Sequence, residues 1–234
     1  VDFSTGSVGL AGPAALFGAL TRDYLETHSL EPTSGRFYAH LGDAEMDEGS
    51  MWEAVIEPVL NGIDRCTWVV DVNRQSLDRV VPGIRVRQFM DMLTANGWTV
   101  FTAKYGDRLT ELMHRPGGEA LRRRIDDMSN EEYQGLLVSD HGELKGRLLD
   151  GAGKGRSDLQ RCVDDVDDDE LYERITNLGG HDVGYLSRLL KKATDTPGST
   201  AVFAYTVKGW GLHSAADPRN HAATLTPKQF DHLA

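Results

Sequence analysis

The chain reads as an α/β protein, a parallel sheet with crossover helices packed on its faces. Three observations predict this. CTWVVDV (66–72) is a short run of apolar and β-branched residues between polar turns, the pattern of a strand buried on both faces. RFYAHL (36–41) and WTVFT (98–102) are two further strand-like runs on either side of it. Helical periodicity fills both gaps, and strand, helix, strand, helix, strand at this spacing demands parallel strands joined by crossovers.

Each element follows from its own pattern. STGSVGLAGPAALFGALTRDYLETH (4–28) opens with small residues and becomes helical near Pro13, with Leu16, Leu20 and Tyr24 expected on one face. After the strand at 36–41, residues 46–60 read as mostly helical, with Met51, Trp52, Val55, Ile56 and Val59 as the apolar face. Cys66 belongs to the central strand as a small buried side chain. A short helix is expected over 89–95 and a longer one over 109–128. GELKGRLLDGAGKGRSDLQ (142–160) is rich in glycine and dotted with basic residues, which predicts a loop or irregular excursion. VDDVDDDE (163–170) reads as the solvated start of a helix that continues over 171–176. A helix over 182–193 and a last strand over 199–207 lead into VKGWG (207–211). Residues 1–212 are expected to form the main domain, and 213–234 an active-site loop and tail.

Composition bounds the function. The 234 residues hold 25 Lys plus Arg against 36 Asp plus Glu, a formal net charge of −11. That balance argues against a nucleic-acid or anionic-membrane partner. A polyphosphate ligand stays open, because a bound divalent cation inverts the local field. Two cysteines make no disulfide framework, and no apolar run is long enough to span a membrane. A reducing, cytoplasmic setting is the expectation.

The stretch HLGDAEMDEGS (40–50) carries the chemistry. It closes a buried strand in Gly42-Asp43 and then supplies Glu45, Asp47 and Glu48. VVDVNRQSLD (69–78) closes the next strand with Asp71, Asn73 and Gln75. Asn73 follows Asp43 by 30 residues, one strand-helix-strand crossover. Ligands bind outside the carboxyl ends of parallel strands, so both side chains belong at one edge. An Asp carboxylate and an Asn amide oxygen are hard donors suited to Mg²⁺ beside phosphates. Gly42 allows close approach of the main chain to the phosphates, and the helix start after Asp43 is directed at them. An ordinary set of polar loops and helix caps would use the same residue types. No GxxxxGK[ST] and no GxGxxG is present.

These segments together, STGSVGL-GP, LGDAEMDEG, VVDVNRQSLD, NLGGHD (177–182) and VKGWG, resemble the diphosphate-binding domain of the transketolase superfamily. Within it they are most similar to homodimeric-type pyruvate dehydrogenase E1 enzymes. The resemblance implies a three-layer thiamin-diphosphate-binding fold. It makes Asp43 and Asn73 metal ligands, with Gln75 adding its main-chain carbonyl. Gly42, Ala44 and Glu45 would line the diphosphate, and Ser7, Val8, Gly9 and Leu10 would run beneath the cofactor. Ala44 stands where the family has a second glycine, and a left-handed backbone there would cost about 1 kcal/mol. Asp71 stands where relatives often carry asparagine.

Lys208 and His221 are the catalytic candidates near the reacting end. His181 reads as structural or as part of a helix cap. His40 either approaches the cofactor or packs. The resemblance also implies a partner subunit with the pyrimidine-binding domain and its catalytic glutamate, in an α₂β₂ assembly. A lipoyl domain or acyl carrier protein would be the acceptor. Substrate-contacting histidines of relatives lie upstream of the STGSVGL segment, which leaves pyruvate and a ketose phosphate both open as donors. Two rival readings are a non-catalytic subunit and a phosphatase or nucleotide-binding enzyme using Asp43 and Asp47.

Overall fold

The computed structural model describes residues 3–30, 35–73, 75–76, 79–80, 83–212, 214–217, 220 and 222–233. Helix α1 (Ala11–Thr27) leads to strand β1 (Phe37–Gly42), a 3₁₀ turn (Asp43–Asp47), α2 (Gly49–Ile56), a second 3₁₀ turn (Pro58–Leu60) and β2 (Cys66–Val72). A short antiparallel hairpin, β3 (Gln75–Ser76) and β4 (Arg79–Val80), precedes α3 (Gly83–Ala95) and β5 (Thr99–Ala103). A run of helices follows: α4 (Asp107–Met113), α5 (Gly118–Asp127), α6 (Asn130–Leu137), α7 (His141–Asp150), α8 (Arg156–Val163) and α9 (Asp168–Ile175). Then come α10 (Val183–Asp195), β6 (Thr200–Tyr205) and α11 (Pro227–Leu233). The chain divides into two compact units, one of residues 1–73, 82–104 and 179–205, the other of 74–81, 105–178 and 206–234.

The first unit holds the predicted parallel sheet, in the order β1-β2-β6-β5. Its central strands are buried on both faces, as the continuous apolar runs require. Cys66, Trp68, Val70 and Val72 share a core with residues of α1, α2 and α3. Helix α10 packs on β5 and β6, and Lys192 lies 5.5 Å from the Phe101 ring. On β2 and β6, Thr67 and Thr200 meet in a buried hydroxyl pair at 2.8 Å. Trp68 stacks at a tilt on Trp98, with ring centroids 4.5 Å apart. The same indole passes so close to α1 that a Cβ on Gly12 would sit 2.8 Å from it, which accounts for the glycine. Burial pushes the Cys66 thiol up to about 12.

The second unit is helical around leucines. Residues 142–160, expected as a loop, form α7, a 3₁₀ turn and α8. Leu144, Leu148, Leu159, Cys162 and Val163 are buried there, so helical spacing of the apolar residues outweighs the glycine content. Its center is stitched by Arg124, whose Nε donates to the Leu148 carbonyl and whose Nη2 pairs with Glu132. A Cβ on Gly151 would sit 2.1 Å from that guanidinium.

Three smaller expectations need correction. The helix over 109–128 is two helices, broken where Gly117 takes φ +86°. Tyr24 leaves the α1 core face and stacks on His28, while Gly12, Ala15, Ala19 and Arg22 join Leu16 in burial. Ile56 and Val59 are exposed, because α2 ends at Ile56 ahead of Pro58. The solvated start at 163–170 does lead into α9, with Asp167 as N-cap to Glu170 N–H at 2.8 Å. Among the described residues, no helix is long and apolar enough to cross a membrane.

Candidate functional site

The site begins with register. β1 and β2 run parallel with Gly42 opposite Asp71, so Asp43 and Asn73 leave neighboring strands at the same carboxyl edge. The 30-residue spacing read from the sequence does bring them to one side of the sheet. Asp43 is buried, at 6% exposure, a costly position for a carboxylate. Asn73 donates its amide nitrogen to Asp71 Oδ2 at 3.4 Å, which ties the two side chains at the end of β2 together.

Glu45 organizes the other side. Its carboxylate accepts Gly9 N–H at 3.1 Å and Gly42 N–H at 3.3 Å, joining the glycine-rich segment before α1 to the end of β1. Ser50 adds a hydroxyl bond to the Gly9 carbonyl at 2.7 Å. Gly9 has φ +85°, and a Cβ there would sit 2.5 Å from Glu48, so only glycine fits. Ser7, Val8, His40 and Glu45 line one cavity of about 990 Å³. Leu10 is exposed just ahead of α1.

The backbone after Gly42 differs from the helix start expected. It is a 3₁₀ turn, and the Gly42 N–H is already taken by Glu45. Space above Gly42 is open, with nothing within 4 Å of a built Cβ. Ala44 sits inside the 3₁₀ turn and is not among the residues with positive φ, so alanine carries no left-handed cost there.

His181 enters from a third strand connection. Gly179 N–H donates to the Lys104 carbonyl at 3.1 Å and Gly180 N–H to the Tyr205 carbonyl at 2.9 Å, pinning the turn to the ends of β5 and β6. A Cβ on Gly179 would lie 2.5 Å from the Ala103 carbonyl group. Asp182, not His181, caps α10, accepting Tyr185 N–H at 2.9 Å. The half-buried His181 imidazole is held below its ordinary pKa by burial, against the opposing pull of the Asp71 carboxylate. Two glycines immediately before His-Asp were the signal available in the sequence for a tight approach to the sheet.

Two further candidates belong to the second unit, and one lies outside the described residues. Gln75 starts the β3-β4 hairpin, opposite Val80, and belongs to the second unit. Lys208 belongs to that unit too, in a loop whose Lys208 carbonyl accepts Ala216 N–H at 2.9 Å. His221 lies outside the described residues. Asp47 is held by Arg85 at 2.8 Å.

The donors fit a magnesium-bound diphosphate in kind. Asp43, Glu45 and Asp71 make this edge acidic, so a diphosphate would be repelled unless a cation came with it. Among the described residues, no three His, Cys, Asp or Glu side chains converge into a metal group. Asp43 and Asn73 offer instead one carboxylate and one amide, hard donor types that suit a cation which keeps its other positions for phosphate and water.

No family model matches the chain. It is 29% identical over 234 residues to the pyruvate dehydrogenase E1 component of Escherichia coli (strain K12), covering 98% of this chain and 26% of that protein. The corresponding protein of Corynebacterium glutamicum is 28% identical over 237 residues, and that of Buchnera aphidicola subsp. Acyrthosiphon pisum 31% over 225 residues. The chain spans about a quarter of the length of these relatives. The fold is similar to that of a transketolase mutant from Pichia stipitis, with TM-score 0.51 and 14% identity over 100% of this chain and 24% of the other. The sequence matches are thus to pyruvate dehydrogenase E1 components, and the likeness to the transketolase is one of fold.

Proposed function

We propose that the chain is the diphosphate-binding part of a thiamin-diphosphate-dependent enzyme that cleaves a C–C bond beside a carbonyl and transfers a two-carbon unit. The pyruvate dehydrogenase E1 components it matches make an acyl transfer the first reading. The observation that carries the proposal is the register of β1 and β2, which sets Asp43 and Asn73 at the carboxyl ends of adjacent parallel strands. When bound, the cofactor would supply the carbanion that attacks the carbonyl carbon.

The chain's own residues would bind and orient it. Asp43 and Asn73 would hold Mg²⁺, with the Gln75 carbonyl as a third donor, and the cation would neutralize the diphosphate. Ser7, Val8, Gly9 and Leu10 would support it, kept in place by Glu45. Ala44 would line it. His181, kept neutral by burial at neutral pH, would offer an N–H to an anion without adding a full charge. Lys208 and His221 are proposed for the substrate end.

A partner polypeptide with the pyrimidine-binding domain and a catalytic glutamate would complete the site, in an α₂β₂ arrangement. A lipoyl domain or carrier-protein thiol would take the two-carbon unit.

The test is a thiamin diphosphate titration with Mg²⁺ in the presence of the partner, comparing wild type with Asp43→Ala. Saturable binding that needs Mg²⁺ and falls at least about a hundredfold in the variant is expected, near 2.7 kcal/mol. Binding indifferent to Asp43 would leave a non-catalytic subunit on this fold. Phosphatase chemistry through Asp47 is disfavored by its pairing with Arg85.

A further inference from the structure

The stretch HLGDAEMDEGS holds a carboxylate, Asp47, to which the diphosphate reading gives no task. Asp47 closes the 3₁₀ turn Asp43–Asp47, whose first residue is the proposed metal ligand. A 3₁₀ run of five residues is long for its kind, because its hydrogen bonds are poorly aligned. Glu48 N–H closes it with a bond to the Glu45 carbonyl at 3.1 Å, and the buried Met46 side chain anchors it in the core. The last carbonyls of such a turn need partners from elsewhere.

Support comes from two helices and meets in a ring. Trp52 of α2 donates its indole N–H to the Met46 carbonyl at 2.8 Å. The Trp52 ring stacks on Phe89 of α3, with centroids 5.6 Å apart and planes 28° from parallel. The Arg85 guanidinium, one turn earlier on α3, lies 5.8 Å from the Phe89 ring centroid. Arg85 then reaches back to Asp47, with Nε and Nη2 both on Oδ1, the former at 2.8 Å. Met46 and Asp47 are adjacent in the chain, so Trp52, Phe89 and Arg85 close a circuit on the end of the turn.

The circuit bears on Asp43 through the backbone. The Asp43 side chain is short and buried, so its direction follows the main chain of the turn. Residues that brace a ligand in this way set how well it meets its ion. Phe89 is buried and Trp52 half-buried, while Arg85 and Asp47 keep 53% and 38% of their side chains exposed. An ion pair so exposed adds little to stability, and its effect is on where the turn sits.

We infer that Arg85 is a positioning residue for the metal site. By holding Asp47, and braced on Phe89 and Trp52, it fixes the 3₁₀ turn and with it the direction of the Asp43 carboxylate toward a hard divalent cation. The inference rests on the reading of Asp43 as a ligand of Mg²⁺ in a thiamin diphosphate site. It adds a residue that lies in none of the segments carrying the family resemblance.

The test is amide exchange on the intact chain, then the thiamin diphosphate titration at stepped Mg²⁺ in the presence of the partner. In Arg85→Gln, exchange at Glu48 N–H should speed up about threefold, with Val70 unchanged. Half-saturating Mg²⁺ should rise about fivefold, the scale of one partly exposed ion pair. Thiamin diphosphate bound at saturating Mg²⁺ should stay the same, a split that general loosening of the fold would not produce. Asp47→Asn should give the same rise, and the double variant no more than either alone, because the two side chains act as a unit. The gap to wild type should narrow at high salt, which screens an exposed pair. Wild-type binding that ignores Mg²⁺, or that Asp43→Ala leaves intact, overturns the diphosphate reading and this inference with it. Mg²⁺-dependent wild-type binding with the same half-saturation in Arg85→Gln overturns the inference alone. So do effects of Arg85→Gln and Asp47→Asn that add, or exchange at Glu48 that Arg85→Gln leaves unaltered.

Discussion

Glu45 holds two main-chain N–H groups on one carboxylate, from segments 33 residues apart in Gly9 and Gly42. Glu45→Gln keeps the shape and removes the charge, and bonds to a charged acceptor are worth about 1 kcal/mol more than neutral ones. Amide exchange at Gly9 is therefore expected to speed up about fivefold, with little change at core amides such as Val70. At this scale the sequence was legible where chemistry and spacing coincide. Gly42, Asp43 and Asn73 fall at adjoining strand ends, as the crossover length requires. The Glu45 bonds were not legible, since nothing local says that its partner lies before α1. His181 shows the same limit: its approach to Asp71 depends on Gly179 closing on Ala103, a contact between residues 76 apart in the chain.

Helices and strands were read unevenly for a physical reason. β2 matches its expected span from Cys66 to Val72, because a strand buried on both faces writes its whole length in apolar residues. α7 and α8 were hidden by Gly142, Gly146, Gly151, Gly153 and Gly155, which local propensity reads as loop. Tertiary burial of Leu144, Leu148 and Leu159 decides otherwise, and Asp140 caps α7 at Gly142 N–H, 2.9 Å away. Leu148→Ala should accordingly cost about 2–5 kcal/mol, as a fully buried leucine in a helix does. The check is chemical denaturation followed by far-ultraviolet circular dichroism. A loop residue in the same place would cost almost nothing.

The molecule as a whole carries net charge −11, and its stability should decline on the acid side. Glu132 is the clearest contributor. Its hydrogen bond to Arg124 holds its pKa below the usual 4.5, so the folded state favors the carboxylate. The sign follows directly: the stabilization is complete above that ordinary value and is lost as pH falls through it toward the lowered one. The half-exposed carboxylate limits the contribution to about 1 kcal/mol after solvent screening. Thermal midpoints measured from neutral pH down to about pH 3 should fall less steeply in Glu132→Gln than in wild type, since the variant has nothing to protonate there. The parallel sheet was legible at this scale from the order of its strands. The division into two units was not, because the helices between Asp107 and Ile175 interrupt the sheet's sequence and build a core of their own.

Both cysteines are buried, and burial raises the pKa of each thiol. Thiolate is the species that reacts with maleimides, and neither side chain presents it to solvent. The native chain is thus a silent background for site-specific dye attachment. A single cysteine introduced at an exposed position would be the sole point of labeling, with no need to remove Cys66 or Cys162 first.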